Sequence, residues 1–329
     1  MFDLIYIEEA ILEHPRTLEI LQRLPRATRV TCSRYGEVFN RNAQRFRRQK
    51  QRPALILAEK HGNFVLETPP GYGIGAEDNY YFSHMLNCVY DCRYCFLQGM
   101  YRSAHLVLFV NYEDFIADIE RTAGSSQTDA CFFSGYDCDS LALEPLSGFV
   151  RAILPSFEKF PHAQIELRTK SAQVRELLDR SPLENCVVAF SLNPENVVEA
   201  VEAGTVSLAR RLECLAELGA RGWPLGLRFD PVIYHEDFRQ HYGAFFERVF
   251  MTVPREQIHS VSLGTFRLPR DMFKTLRKLY PDEKLLAFGM DVSDRMASYR
   301  QELAEEILGY CREELLQRLP EGKLFECSA

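Results

Sequence analysis

No stretch of this chain approaches the roughly 20 consecutive apolar residues that span a bilayer, so a membrane-embedded protein is not expected. Only one tryptophan, Trp223, occurs in 329 residues, and no internal repeat or low-complexity run stands out. With 46% hydrophobic and 26% charged residues, disordered and collagen-like chains are excluded. The start, Met1-Phe2-Asp3-Leu4-Ile5, lacks the basic stretch and cleavage site of a secretory signal, so a cytoplasmic protein is expected. Positive charge is not in excess either. The formal net charge of -7 argues against bulk, non-specific binding of nucleic acid.

What is there is unevenly spread. Between Arg26 and Lys60 lie ten basic residues against only Glu37 and Glu59. Such a patch can hold a polyanion on an acidic protein, or can be a solvated face without a partner.

Past residue 103, strand-like runs at 105–110, 130–133, 164–168, 187–191, 224–229 and 260–263 alternate with helical stretches such as 206–220 and 237–249. About six β/α units imply a parallel sheet, and six fit a partial barrel better than a closed eightfold one. The expected fold is therefore α/β: a partial (β/α)6 TIM-like barrel over residues 81–285 with an N-terminal α/β extension, residues 1–80, that carries the basic patch. Residues 286–329 are expected to be helical over 299–319 before a short apolar tail. In parallel α/β architectures the chemistry sits at the C-terminal strand ends. Those ends carry Ser134 to Ser140, Arg168 to Lys170, Ser191 to Asn193, Arg228 and Asp230, and Gly264 and Arg267.

Seven of the ten cysteines are scattered; the other three form Cys88-x3-Cys92-x2-Cys95. Clustered cysteines in a reducing compartment point to metal rather than disulfides. Three thiolates on one loop can hold three irons of a [4Fe–4S] cube and leave the fourth without a protein ligand. A structural zinc site needs a fourth ligand, for which His84 is the nearest candidate, and plain core cysteines are the third alternative.

The cysteine spacing followed by six β/α units resembles the radical S-adenosylmethionine superfamily. Tyr81 to Cys88, Cys95-Phe96-Leu97-Gln98, Asp139 to Glu144, Pro224-Leu225-Gly226 and Pro231 to Glu236 further resemble the spore photoproduct lyases. That resemblance implies a carbon–carbon lyase that repairs a methylene-bridged thymine dimer in ultraviolet-damaged DNA. Its radical, generated from S-adenosylmethionine at a [4Fe–4S] cluster, removes a hydrogen from the lesion, and a hydrogen is later returned. It assigns Cys88, Cys92 and Cys95 to the cluster. Lys170 and Ser191 go to the carboxylate and ribose of the cofactor, with Asn193 and Ser134 lining the same site. Tyr94 matches a tyrosine near the cofactor or in hydrogen return. The implied partners are damaged DNA and an electron donor such as flavodoxin or ferredoxin, while the oligomeric state is not indicated.

Two positions depart from the family pattern. Phe96 stands where members carry a second tyrosine, and Tyr136 stands where they carry the hydrogen-donating cysteine. Cys138, two residues later, offers a thiol, and Tyr136 can join a relay. The same chemistry on another lesion, on RNA or on a peptide is a second reading, and a non-enzymatic iron–sulfur or zinc protein that binds nucleic acid is a third. Gly71 to Gly75 reads as a turn and Trp223 as core. Asp230, His235 and Glu236 are expected to shape a loop. Tyr234, Arg267, Arg295 and Arg300 are candidate substrate contacts, and Cys327 is expected to be a bystander.

Overall fold

The computed structural model describes residues 2–126, 128–287 and 289–327. Six parallel strands lie side by side in chain order: β1 (Asp78–Phe82), β2 (Ala130–Ser134), β3 (Ala163–Thr169), β4 (Cys186–Ser191), β5 (Leu225–Val232) and β6 (Ile258–Thr265). The sheet curls into the expected half-barrel. Leu66–Glu67 adds an antiparallel strand beside β1, and the apolar tail, Leu324–Glu326, adds a parallel one beside β6.

One strand differs from expectation. The run at 105–110 does not open the barrel. Leu106–Phe109 instead joins a five-stranded sheet with Leu4–Glu8, Thr28–Cys32, Leu55–Ala58 and Met85–Leu86. It is apolar and buried at all four positions, which marks a strand covered on both faces without saying to which sheet it belongs. The true first strand, β1, reads Asp-Asn-Tyr-Tyr-Phe, and four of its five residues are only half-buried. It shows no apolar run, so hydrophobic pattern alone misses it, and the expected boundary at residue 80 falls inside it.

The helices follow the sequence more closely. Leu208–Ala220 begins at Ser207, whose side chain accepts from the Arg210 N–H, and its buried side Leu208, Leu212, Leu215 and Leu218 keeps the helical period. Phe238–Thr252 and Gln301–Leu316 match the other two expected helices to within a few residues. Trp223 is fully buried, and one apolar core runs through both sheets and the helix layer. Among the described residues no helix is long and apolar enough to cross a membrane.

Strand alternation decides what the barrel encloses. Glu166 and Arg168 of β3 and Arg228 of β5 turn inward, where Arg228 Nη2 donates to Glu166 Oε2 at 2.7 Å and to Ser260 Oγ at 2.9 Å. The two arginines overcome the burial that would raise the Glu166 carboxyl and hold it near a pKa of about 2. One step further along each strand, the same alternation delivers Lys170, Ser191 and Asp230 to the mouth.

Candidate active site

The cysteine loop follows β1 after the short strand Met85–Leu86 and is pinned from the barrel side. Asp91–Cys92 pairs antiparallel with Glu202–Ala203, and the Arg93 N–H donates to Val201 O at 2.8 Å. Burial raises all three thiols: Cys88 to about 12, Cys92 well above its ordinary value, and Cys95 upward. The charges of Cys95 and Cys88 raise Cys92, so the thiols are neighbours, yet among the described residues no three His, Cys, Asp or Glu side chains gather tightly enough to hold a single ion. Lys170 opposes the rise at Cys92 and Cys95, and Lys50 opposes it at Cys88 and Cys95. Three soft donors with cations at hand fit an iron–sulfur cube, because metal binding removes the thiol protons that burial otherwise retains.

His84 does not complete a zinc set. Its ring stacks on Phe149 with centroids 3.7 Å apart and planes at 5°, and burial drops its pKa to about 3. Held neutral when folded, His84 favours folding above the unfolded pKa of about 6.5 and progressively less as pH falls below it. At pH 5.5 the loss is about 1.4 kcal/mol. His84→Phe is expected to remove that share of acid sensitivity, measured by urea unfolding at pH 7.5 and 5.5. An unchanged difference between the two pH values would refute it.

Lys170 is set by Asp139. The Lys170 N–H and the Thr169 hydroxyl each donate to that carboxylate at 2.7 Å, and the Leu141 and Ala142 N–H groups donate to it at 3.1 and 2.9 Å. One carboxylate thus ties the loop after β2 to the end of β3. The preceding turn needs glycine: Gly135 has φ +89°, and a Cβ there would lie 2.5 Å from Ser140 Oγ. Burial lowers the Lys170 pKa, but a Cys92 thiolate and the Glu202 carboxylate outweigh it and raise it. Its nitrogen stands 5.4 Å from the Tyr94 ring centroid.

Beneath Lys170 lies a network that the sequence did not reveal. Glu202 accepts from Arg211 Nη2 at 2.6 Å, from Asn193 Nδ2 at 3.1 Å and from the Tyr94 hydroxyl. Arg211 Nη1 also donates to Ser191 O at 3.0 Å, and the Tyr242 hydroxyl donates to Asn193 Oδ1 at 3.0 Å. Glu202 and Arg211 are fully buried and sit on separate elements, so no local motif flags them. Tyr94 and Asn193 are at the site, but their polar atoms are engaged in fixing the loop and the end of β4. Ser191 lies on the inward face of β4, in register with Arg228.

Other expectations divide. Ser134 pairs with Phe82 and Leu167 on the helix-facing side of the sheet, its buried hydroxyl without a partner, so it does not line the mouth. Cys138 is 6% exposed and packs in the core, whereas Tyr136 is half-exposed. The Tyr136 ring lies 4.5 Å from Tyr81, 5.7 Å from Phe96 and 5.9 Å from Tyr72. The turn at 69–75 therefore does more than reverse the chain, because it brings Tyr72 to this aromatic wall. Arg267 is not free for phosphate: it donates to Asp230 Oδ1 at 2.8 Å, so close that a Cβ on Gly264 would meet both groups. Asp230 is engaged in that pair, while His235 lies beside His241 with centroids 4.8 Å apart and the rings tilted at 47°. The Tyr234 N–H donates to the Tyr299 hydroxyl at 3.0 Å. Arg295 and Arg300 are exposed. Cys327 is better placed than expected, its N–H bonded to Leu263 O at 2.8 Å near the end of β6, with burial and then Asp230 pushing its thiol up to about 11.

A parallel half-barrel with a three-thiol loop and a charged lysine at its mouth defines a radical S-adenosylmethionine enzyme. The sequence model of the spore photoproduct lyase family matches residues 1–308. The spore photoproduct lyase of Bacillus subtilis is 24% identical over 293 residues, covering 86% of this chain and 83% of that protein. Two solved spore photoproduct lyases share the fold, each with a TM-score of 0.84 and 19% identity over 99% of this chain and 98% of theirs. One is a mutant with bound AdoMet and dinucleoside spore photoproduct; the other is complexed with dinucleoside spore photoproduct. The chain belongs to the spore photoproduct lyase family.

Proposed function

We propose that this enzyme repairs a methylene-bridged thymine dimer in DNA, with Cys88, Cys92 and Cys95 holding a [4Fe–4S] cluster and Lys170 and Ser191 holding S-adenosylmethionine. The observation that carries the reading is the half-exposed aromatic wall of Tyr72, Tyr81, Phe96 and Tyr136 directly beside the cysteine loop. Flat, apolar faces next to a radical source suit a pair of bases turned out of the stack, and a lesion costs less to extrude than an intact pair.

When bound, the cluster and S-adenosylmethionine supply the deoxyadenosyl radical that removes a hydrogen atom from the lesion. The chain's own groups do the rest. The Lys170 ammonium pairs with a carboxylate, and the Ser191 hydroxyl serves a ribose. The Tyr94–Glu202–Arg211 network keeps both in place. Burial raises the Tyr136 phenol, so its O–H is kept at neutral pH beside Tyr81 and Phe96. Exposed Arg295 and Arg300 are available to the DNA backbone, which makes binding weaken as salt rises. A cytoplasmic setting is part of the reading: all ten cysteines are free.

The test is anaerobic turnover on DNA carrying the dimer, with lesion and 5′-deoxyadenosine quantified together. Lesion loss in step with deoxyadenosine supports the proposal, and deoxyadenosine without repair points to another substrate. Cys138→Ala is expected to leave the product ratio within about twofold of wild type, because that residue is only 6% exposed. Tyr136→Phe, which removes the O–H of a half-buried ring, is expected to divert product to side adducts. Diversion by Cys138→Ala instead would reassign the hydrogen return.

A further inference from the structure

The turn after β2 carries two buried carboxyls, Asp137 and Asp139. Asp139 is tied to the end of β3 and sets Lys170. Asp137 is tied toward the cysteine loop instead. Its Oδ2 accepts from the Ser83 hydroxyl, and the Tyr101 hydroxyl stands close enough to lower its pKa. Ser83 lies between the end of β1 and the cysteine loop, and Tyr101 follows the helix Leu97–Met100 that leaves it. One carboxyl therefore meets the chain on both sides of Cys88, Cys92 and Cys95.

Stability does not account for this group. Asp137 is 7% exposed, and burial pushes its pKa above the ordinary value despite Ser83, Tyr101 and Lys60. Lys60 is itself half-buried, with its own pKa lowered by burial. Among the described residues Asp137 Oδ1 is buried with no hydrogen-bond partner, a cost that an apolar side chain would not carry. A carboxyl kept at such a cost calls for a role beyond packing.

The neighbouring residue supplies that role. Tyr136 shares the turn, and its ring stands in the aromatic wall, 4.5 Å from Tyr81 and 5.7 Å from Phe96. The charge of Asp137 raises the phenols of both Tyr81 and Tyr136, which places the carboxyl close behind that wall.

We infer that Asp137 is a positioning residue, which locks the turn carrying Tyr136 to both ends of the cysteine loop and so sets the reach of the Tyr136 hydroxyl to the substrate radical. The inference rests on the reading of Tyr136 as the source of the returned hydrogen. Asp137 itself exchanges no atom with the substrate. A misplacement of about 1 Å at such a hydroxyl is enough to slow a transfer by orders of magnitude.

The test is the product ratio of the loaded enzyme on DNA carrying the dimer, for Asp137→Ala and, in case that variant folds poorly, for Ser83→Ala and Tyr101→Phe. Iron, sulfide and deoxyadenosine formation should stay within about twofold of wild type, while side adducts rise about fivefold or more relative to repaired thymine. Asp137→Ala/Ser83→Ala should be no worse than Asp137→Ala alone, because both remove the same tie. Asp137→Asn, which keeps the size and one acceptor oxygen, should recover part of the ratio. A second readout does not depend on turnover. With 3-fluorotyrosine placed at position 136, the fluorine resonance of the holoenzyme should move in Asp137→Ala and stay in place in Cys214→Ala. An unmoved resonance, or a wild-type product ratio in Asp137→Ala when Tyr136→Phe diverts product, would overturn the inference. If Tyr136→Phe itself leaves the ratio unchanged, the hydrogen-return reading fails, and the resonance alone decides the positioning.

Discussion

Cys92→Ala is expected to abolish reductive cleavage of S-adenosylmethionine, by about a thousandfold or more, equivalent to about 4 kcal/mol of barrier. Cys92 is the most constrained of the three loop cysteines. It is 5% exposed, and its backbone is paired with Glu202–Ala203. His84 is stacked on Phe149 and Cys138 is 6% exposed in the core, so neither is presented as a replacement ligand. Iron and labile sulfide should fall with the activity, while Cys214→Ala, a change at a buried helix position, should retain both. Metal analysis and deoxyadenosine production on the same anaerobic preparations check this. Full iron and activity in Cys92→Ala would remove the loop from the mechanism, and one zinc with no sulfide in wild type would remove the cluster.

Arg211→Met is expected to cost about 3–5 kcal/mol of folding stability, because it leaves the Glu202 carboxylate buried without its main counter-charge. In the wild type, burial raises the Glu202 pKa, but Arg211 and then Lys170 outweigh it, so the carboxyl ends below its ordinary value. Its contribution is therefore present above the unfolded pKa of about 4.3 and is lost as pH falls below it. In the variant the balance reverses. Burial raises the carboxyl, and the penalty should shrink as pH drops and Glu202 takes up a proton.

The paired change Glu202→Gln/Arg211→Met is expected to recover part of the stability, since no unpaired charge remains. It should not recover activity, because Tyr94, Asn193 and the end of β4 lose their common anchor. Urea unfolding at pH 7.5 and 5.0, with cofactor affinity measured on the same variants, separates the two effects. A stability loss under about 1 kcal/mol in Arg211→Met would show that the pair is not structurally coupled to the loop.

Much of this was legible in the order of residues. Three cysteines at a fixed spacing need no fold to state their chemistry, because the ligand type and the short loop that carries it are both local. Five of the six barrel strands announced themselves as apolar runs, and the polar residues that follow them, Lys170 and Ser191 among them, lie at the mouth because parallel strands all end on one side. The flanking segments that resemble the spore photoproduct lyases led to the family that the whole-chain match then supported.

What the order of residues left open depends on partners far away in the chain. Leu106–Phe109 reads as a strand, but only its neighbours Leu55–Ala58 and Met85–Leu86 take it out of the barrel, and only β2 brings the polar strand Asp78–Phe82 into it. Ser134 and Ser191 look alike in sequence. The pleat sends one toward the helices and the other into the mouth, and register is a property of the sheet. Cys138 and Tyr136 are two residues apart, yet a tight turn after Gly135 buries the first and leaves the second half-buried. Glu202 and Arg211 carry no motif at all. Their meaning is electrostatic, and two opposite charges acquire it only when folding removes the water between them.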